Sequence, residues 1–331
     1  MRTINGAYAS PAWLPGGHAQ TIYASLLPRP EVRFRRERVE TPDGDFVDFD
    51  WLETRRTETQ TPLVVLFHGL EGGSSSHYAR ALMRLLHAIG WRGVVPHFRG
   101  CSGEPNRLPR AYHSGDYSEV GWMLSTIRSR APDAPLFAAG VSLGGSALLN
   151  WIGRETALAT AVLKAAAAVS TPLDLTAAGF AIEQGLNRIY SRHFLGTLVP
   201  KAIAMARRFP GMLDETSIRR AGTMYAFDDA VTAPLHGFNG AEDYWSRASS
   251  KPWLGNIRLP TLVLNARNDP FIPAISLPGA AEVGPGVVLE QPEHGGHGGF
   301  PAAPFPGTLD WLPARLVSFF RSASGAAPRQ A

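Results

Sequence analysis

The segment that most constrains this chain is Gly140-Val141-Ser142-Leu143-Gly144. It follows LFAA, a short apolar run that predicts a strand, and precedes SALLNWIGR, which suits a helix. A strand that must become a helix within a few residues brings its own backbone so close that glycines are needed around the corner, and the serine between them is raised with its hydroxyl exposed. Gly145 adds further room. The amides and dipole of the helix start aim at the same space and favour negative charge developing there. Ser142 is therefore the candidate nucleophile. The plainer alternative, a glycine-rich turn with a capping serine, leaves the strand before and the helix after it unexplained.

The rest of the chain repeats that alternation. Runs at 63–68 (LVVLFH), 94–98 (VVPHF), 136–140 (LFAAG) and 262–266 (LVLNA) are apolar throughout and end in Gly-rich or polar loops, as in a sheet covered on both faces. Helical spacing lies between them at 78–88, 117–130 and 146–154, and a segment at 160–169 fits either a strand or an alanine-rich helix. With right-handed crossovers this order predicts a mostly parallel α/β sheet with helices on both faces, preceded by a hairpin of 32–38 and 46–51 around TPDGD. Residues 308–321 suit a closing helix, and 323–331 a flexible tail.

A serine hydroxyl needs a base to take its proton and an acid to orient that base. In folds with such an elbow both come later in the chain, acid first. Asp269 follows LVLNA in the loop ARNDPFIP, and His297 lies in HGGHGGF just beyond a further strand. Asp174 is the alternative acid, although a capping or turn role suits it; Asp228, Asp229 and Asp243 read as structural. His294 is the alternative base, with His297 preferred because it stands between two glycine pairs. After the strand LVVLF, the loop HGLEGG is where the second oxyanion donor is expected, so the amides of Leu70 and Leu143 are the candidate pair. Each such donor is typically worth about 3 kcal/mol in the transition state. His68 precedes that loop and reads as a structural hydrogen-bonding residue.

These elbow partners lie on both sides of 171–250, a block rich in aromatics and acids that breaks the alternation. The two flanks must then form one sheet, so residues 1–331 are expected to be a single domain with a helical cap inserted at 171–250. Phe180, Tyr190, Phe194, Phe227, Phe238, Tyr244 and Trp245 could line an acyl pocket beneath the cap or form its own core.

Composition narrows the function classes. Only three of the 32 basic residues are lysines, net charge is +4, and the arginines are scattered. Their densest group, Arg33, Arg35, Arg36 and Arg38, alternates as a solvated strand face, so no nucleic-acid partner is expected. The single cysteine, Cys101, permits neither an intrachain disulfide nor a cysteine-based zinc site and suits a reducing, cytoplasmic compartment. The first residues do not read as a signal peptide, and AVLKAAAAV is too short for an integral membrane segment. No H-E-x-x-H pair occurs, and no metal or cofactor is expected.

GGHAQTIYASLLP (16–28), FHGLEGGSSSHYA (67–79), HFRGCSGEPNRLPRAYHSGD (97–116), GVSLGG (140–145), FDDAVTAPLHGF (227–238), ARNDPFIP (266–273) and HGGHGGF (294–300) together resemble the YheT-type α/β hydrolases over nearly the whole chain. The resemblance implies the α/β-hydrolase fold and a Ser-Asp-His hydrolase carried by Ser142, Asp269 and His297. It also implies hydrolysis of carboxylic esters or acylglycerols, relatives in eukaryotes acting on lipids. Arg99 and Cys101, in HFRGCSGEPN, read as scaffold under the site. The expected partner is a small-molecule ester or acylglycerol of short to medium acyl chain, compatible with transient contact at a lipid surface. An acyltransferase using the same acyl-enzyme and a non-catalytic binding protein of this fold are the alternatives.

Overall fold

In the computed structural model, which describes residues 8–54 and 58–324, a short helix α1 (Gly17–Leu26) precedes the sheet. The strands are β1 (Phe34–Glu40), β2 (Phe46–Leu52), β3 (Leu63–Phe67), β4 (Arg92–Pro96), β5 (Leu136–Val141), β6 (Ala165–Val169), β7 (Thr261–Leu264) and β8 (Val287–Glu290). They form one sheet in the order β1-β2-β4-β3-β5-β6-β7-β8. Pairing is antiparallel from β1 through β2 to β4 and parallel from β4 to β8. The α/β class and mostly parallel sheet expected from the alternation are what the chain forms.

The helices α2 (His77–Ala88), α3 (Tyr117–Arg130), α4 (Leu143–Arg154), α5 (Thr156–Val162) and α12 (Trp311–Ala323) cover the sheet. The pleat divides β3 between two cores: Leu63, Val65 and Phe67 pack with α3, α4 and α5 on one face, while Val64 and Leu66 pack with α2 and α12 on the other. A strand buried on both faces has no polar position to alternate, which is why LVVLF is apolar throughout.

The ambiguous segment at 160–169 resolves into both alternatives, the end of α5 and then the all-buried strand β6. The tight hairpin pairs Phe34 with Leu52 and Glu40 with Phe46. Its arginines are not simply solvated: Arg36 and Arg38 each grip a carboxylate across the ladder, Asp50 and Asp48 respectively, through two hydrogen bonds. The tail expected at 323–331 lies, from residue 325 onward, outside the described residues.

Between β6 and β7 the chain leaves the sheet and forms α6 (Leu175–Ala181), α7 (Arg188–Arg208), α8 (Glu215–Arg220), α9 (Met224–Phe227), α10 (Ala233–His236) and α11 (Ala241–Ala248). These helices touch the loops that follow parallel strands: Lys201 reaches Glu71 and Gly100, Arg208 reaches Asn106, and Asn187 reaches Pro270. They also have an apolar cluster of their own, including Leu195, Ala202, Ile218, Phe227 and Val231.

Candidate active site

Ser142 is the single residue between β5 and α4. Its φ of 54° and ψ of −124° lie where non-glycine residues are strained. The corner is fixed by close approach: a Cβ on Gly144 would run into the carbonyls of Phe67 and His68, and one on Gly140 would stand 2.5 Å from the Gly144 oxygen. Helix α4 begins at Leu143 rather than at 146, three residues earlier than the sequence spacing suggests. The earlier start places the helix's unpaired first amide immediately beside the serine.

His297 Nε2 lies 2.9 Å from Ser142 Oγ, and His297 Nδ1 lies 2.8 Å from Asp269 Oδ2. Asp269 Oδ1 accepts a further bond from the Phe271 amide at 2.8 Å, and its side chain is buried. With the carboxylate accepting from Nδ1–H, Nε2 is the acceptor facing the serine hydroxyl. The structure thus brings together Ser142, Asp269 and His297, although 155 residues separate the first from the last.

The competing residues are engaged elsewhere. His294 Nδ1 accepts from Asn268 Nδ2 at 3.3 Å, and Asp174 caps α6 by accepting from the Ala177 amide at 2.9 Å. Asp228 is buried and accepts from Trp245 Nε1 and Thr232 Oγ1; burial raises its carboxyl to about 6. Asp229 accepts from the Ala241 amide and Asp243 from the Asn239 amide.

The loop after β3 lies against the elbow, since a Cβ on Gly69 would stand 3.1 Å from Ser142 Cβ. Leu70 follows it. Among the described residues neither the Leu70 nor the Leu143 amide has a hydrogen-bond acceptor, the first following Gly69 and the second following Ser142 in the chain. His68 is wholly buried, donates Nδ1–H to Gly69 O at 2.8 Å and accepts from the Phe98 amide at 3.1 Å. Desolvation holds it neutral, lowered to about 3, which fits a structural link between the loops after β3 and β4.

Burial, with the nearby Glu71 carboxylate, pushes the Cys101 thiol up to about 12, so a thiolate is disfavoured, and the His97 ring beside it bonds to the Cys101 carbonyl through Nδ1 at 3.1 Å. Arg99 is buried in the loop after β4 and pairs with Asp43, Asp45 and Glu119, tying that loop to the hairpin and α3. Among the described residues no group of three or more His, Cys, Asp or Glu could hold a metal ion.

The inserted aromatics fall into separate clusters. Tyr190 and Phe194 pack on Phe271, whose ring lies 4.1 Å from the His297 ring. Phe238, Tyr244 and Trp245 form a separate cluster, Phe180 packs edge-on against Trp245, and Phe227 belongs to the helices' own core. Only the first pair adjoins the site. Thr21 and Ser170, which accept from the amides of His297 and Gly298 at 2.9 Å each, were not singled out from the sequence. The motif GGHAQTIYASLLP was the available signal for Thr21.

Residues 62–304 match the family model for the alpha/beta hydrolase fold. The chain is 38% identical over 303 residues to YheT of Escherichia coli (strain K12), named as a candidate esterase, covering 90% of this chain and 88% of YheT. It is 30% identical to the human phospholipase ABHD3 over 305 residues, covering 90% of this chain and 74% of the relative. Among solved structures, that of the Est1E protein of Butyrivibrio proteoclasticus with bound ferulic acid superposes with a TM-score of 0.56 at 15% identity, covering 87% of this chain and 99% of that one. No helix among the described residues is long and apolar enough to cross a membrane.

Proposed function

The chain belongs to the α/β hydrolase fold family, and from that premise we propose that this carboxylic-ester hydrolase works through Ser142, His297 and Asp269 and a covalent acyl-enzyme. The observation that carries the proposal is the unbroken hydrogen-bond chain from Asp269 through His297 to a serine held at φ 54°. Similarity to a phospholipase and to YheT supports ester substrates.

His297 Nε2 takes the Ser142 proton as Oγ attacks the ester carbonyl, forming a C–O bond and an oxyanion. The amides of Leu70 and Leu143 donate to that oxygen. When the tetrahedral intermediate collapses, the bond to the alkoxy group breaks and His297 returns its proton to the departing alcohol. Water, deprotonated by the same histidine, then attacks the acyl carbon, and the acid leaves as Ser142 regains its proton. Asp269 stays ionised and holds the imidazole in the tautomer with Nδ1–H.

The inserted helices act as a cap in this scheme, with Tyr190, Phe194 and Phe271 forming the apolar wall beside His297. Its proposed substrates are short- to medium-chain esters or acylglycerols, met in a cytoplasmic setting suggested by the single cysteine. The test is to label the purified protein with a fluorophosphonate and locate the adduct by mass spectrometry, then to compare p-nitrophenyl esters of increasing acyl length. Labelling at Ser142 and a rate maximum at short to medium chains are expected. No adduct there sinks the mechanism, and a steep rise on long-chain emulsions replaces the substrate class with that of a lipase.

A further inference from the structure

Helix α1 plays no part in the chemistry above, yet its first turns lie against both loops that hold the acid and the base. Gln20 is fully buried, and both the nitrogen and the oxygen of its amide are hydrogen-bonded. Nε2 donates to Leu14 O at 3.0 Å, while Oε1 accepts from Asn268 Nδ2 at 3.0 Å and from the Gly295 amide at 2.8 Å. Asn268 immediately precedes Asp269, and Gly295 is two residues before His297. The next residue of α1, Thr21, donates Oγ1–H to Gly17 O at 2.7 Å and accepts from the His297 amide at 2.9 Å. Asn268 Oδ1 accepts from the Gly296 amide between them at 3.1 Å. Three successive amides of the histidine loop are thus held by side chains of α1 or by an asparagine that α1 itself holds.

The loop needs this support. Gly295, Gly296 and Gly298 have φ of 147°, 62° and 67°, and a glycine-rich segment has little intrinsic preference for one conformation. The imidazole must nevertheless meet two atoms on different strands' loops at 2.8 and 2.9 Å. The packing leaves no slack, because a Cβ on Gly296 would stand 2.8 Å from Gly17 O, Thr21 N and Thr21 Oγ1. A Cβ on Gly17 would collide with the Asn268 carbonyl.

We infer that Gln20 and Thr21 are positioning residues for the hydrolytic site: together they lock the Asp269 loop and the His297 loop in one mutual register. Neither touches substrate. The inference rests on the assignment of Ser142, His297 and Asp269 as the reacting set, and its test is chosen so that the two can fail separately.

The test compares Thr21→Val, which keeps the shape and deletes the acceptor, with Thr21→Ser, which keeps the hydroxyl. On p-nitrophenyl butyrate Thr21→Val is expected to lower kcat about 10- to 100-fold with KM within about twofold, and Thr21→Ser to recover most of it. Thr21→Ala carries the same expectation as Thr21→Val should the valine variant not fold. A purely structural role would lower Tm without changing kcat per folded molecule. The second readout is the downfield proton resonance of His297 Nδ1–H bonded to Asp269, expected to be lost in Thr21→Val and kept in Thr21→Ser. That signal needs no turnover, so wild-type protein that cleaves no ester refutes the hydrolytic assignment while the resonance still tests the register. Wild-type kcat and resonance in Thr21→Val, or a serine variant no better than valine, overturn the inference.

Discussion

Lys201 Nζ, on helix α7, lies 2.7 Å from the carboxylate of Glu71, the residue next to Leu70 in the loop after β3. It also donates to Gly100 O at 2.9 Å. One lysine of the inserted helices therefore bridges the loops that follow two adjacent strands. Glu71 holds φ at 55°, a conformation that a non-glycine residue keeps only when its surroundings fix it.

Because the lysine side chain is 49% exposed, its ion pair contributes little to stability, within about 1 kcal/mol. Its effect should instead be read in the loop. Lys201→Met is expected to leave the denaturant midpoint almost unchanged and to lower kcat/KM roughly three- to tenfold. Unchanged kcat/KM would mean that the inserted helices do not support the Leu70 amide.

Tyr112 fixes the same residue from below. Its hydroxyl accepts from the Glu71 amide at 2.7 Å and donates to Glu71 Oε1 at 3.2 Å. Tyr112→Phe leaves that amide without its partner, which costs roughly 1–3 kcal/mol. Urea unfolding should show the loss, with kcat reduced in the folded fraction.

Acid sensitivity follows from two half-buried, neutral imidazoles. Burial lowers His77 and His113 to about 4, against an ordinary value of 6.5. An unfolded chain takes up these protons below about pH 6.5, whereas the folded chain does so only near pH 4. The stabilisation is therefore fully present above 6.5 and lost as pH falls through that window. His77 donates Nε2–H to Gly298 O at 3.2 Å, so His77→Gln can retain a donor without titrating. The variant's stability should fall less than wild type's between pH 7 and pH 4, by up to roughly 3 kcal/mol. Parallel melting curves for the two proteins would contradict this.

The two histidines of HGGHGGF separate cleanly. His297→Ala removes the group bonded to both Ser142 and Asp269 and is expected to lower kcat by about 10⁴-fold or more. His294→Ala removes only an acceptor for Asn268 and should cost less than about tenfold. Greater loss at His294 would reverse the assignment of the base.

The local part of this site was legible because local sterics write it into the chain. Gly144 stands where a Cβ would strike the carbonyls of Phe67 and His68, Gly140 where one would strike the Gly144 oxygen, and apolar runs such as LVVLF mark strands covered twice. Chain order then pointed to Asp269 and His297, which share no local pattern with the serine. What could not be read is whatever depends on distant segments meeting. Arg36 and Arg38 look like a solvated face until β2 brings Asp50 and Asp48 opposite them. Gln20 and Thr21 lie inside an ordinary short helix, and their polar side chains gain a purpose only when loops some 250 residues later close around them. The aromatics of the inserted helices carried no mark of which would adjoin His297.

The most direct measurement is hydrolysis of p-nitrophenyl butyrate by wild-type protein and by Ser142→Ala, with matched thermal melts to show that both are folded. Wild-type turnover that falls at least about 10⁴-fold in the variant is the predicted result. A folded Ser142→Ala protein that keeps wild-type turnover would contradict the account.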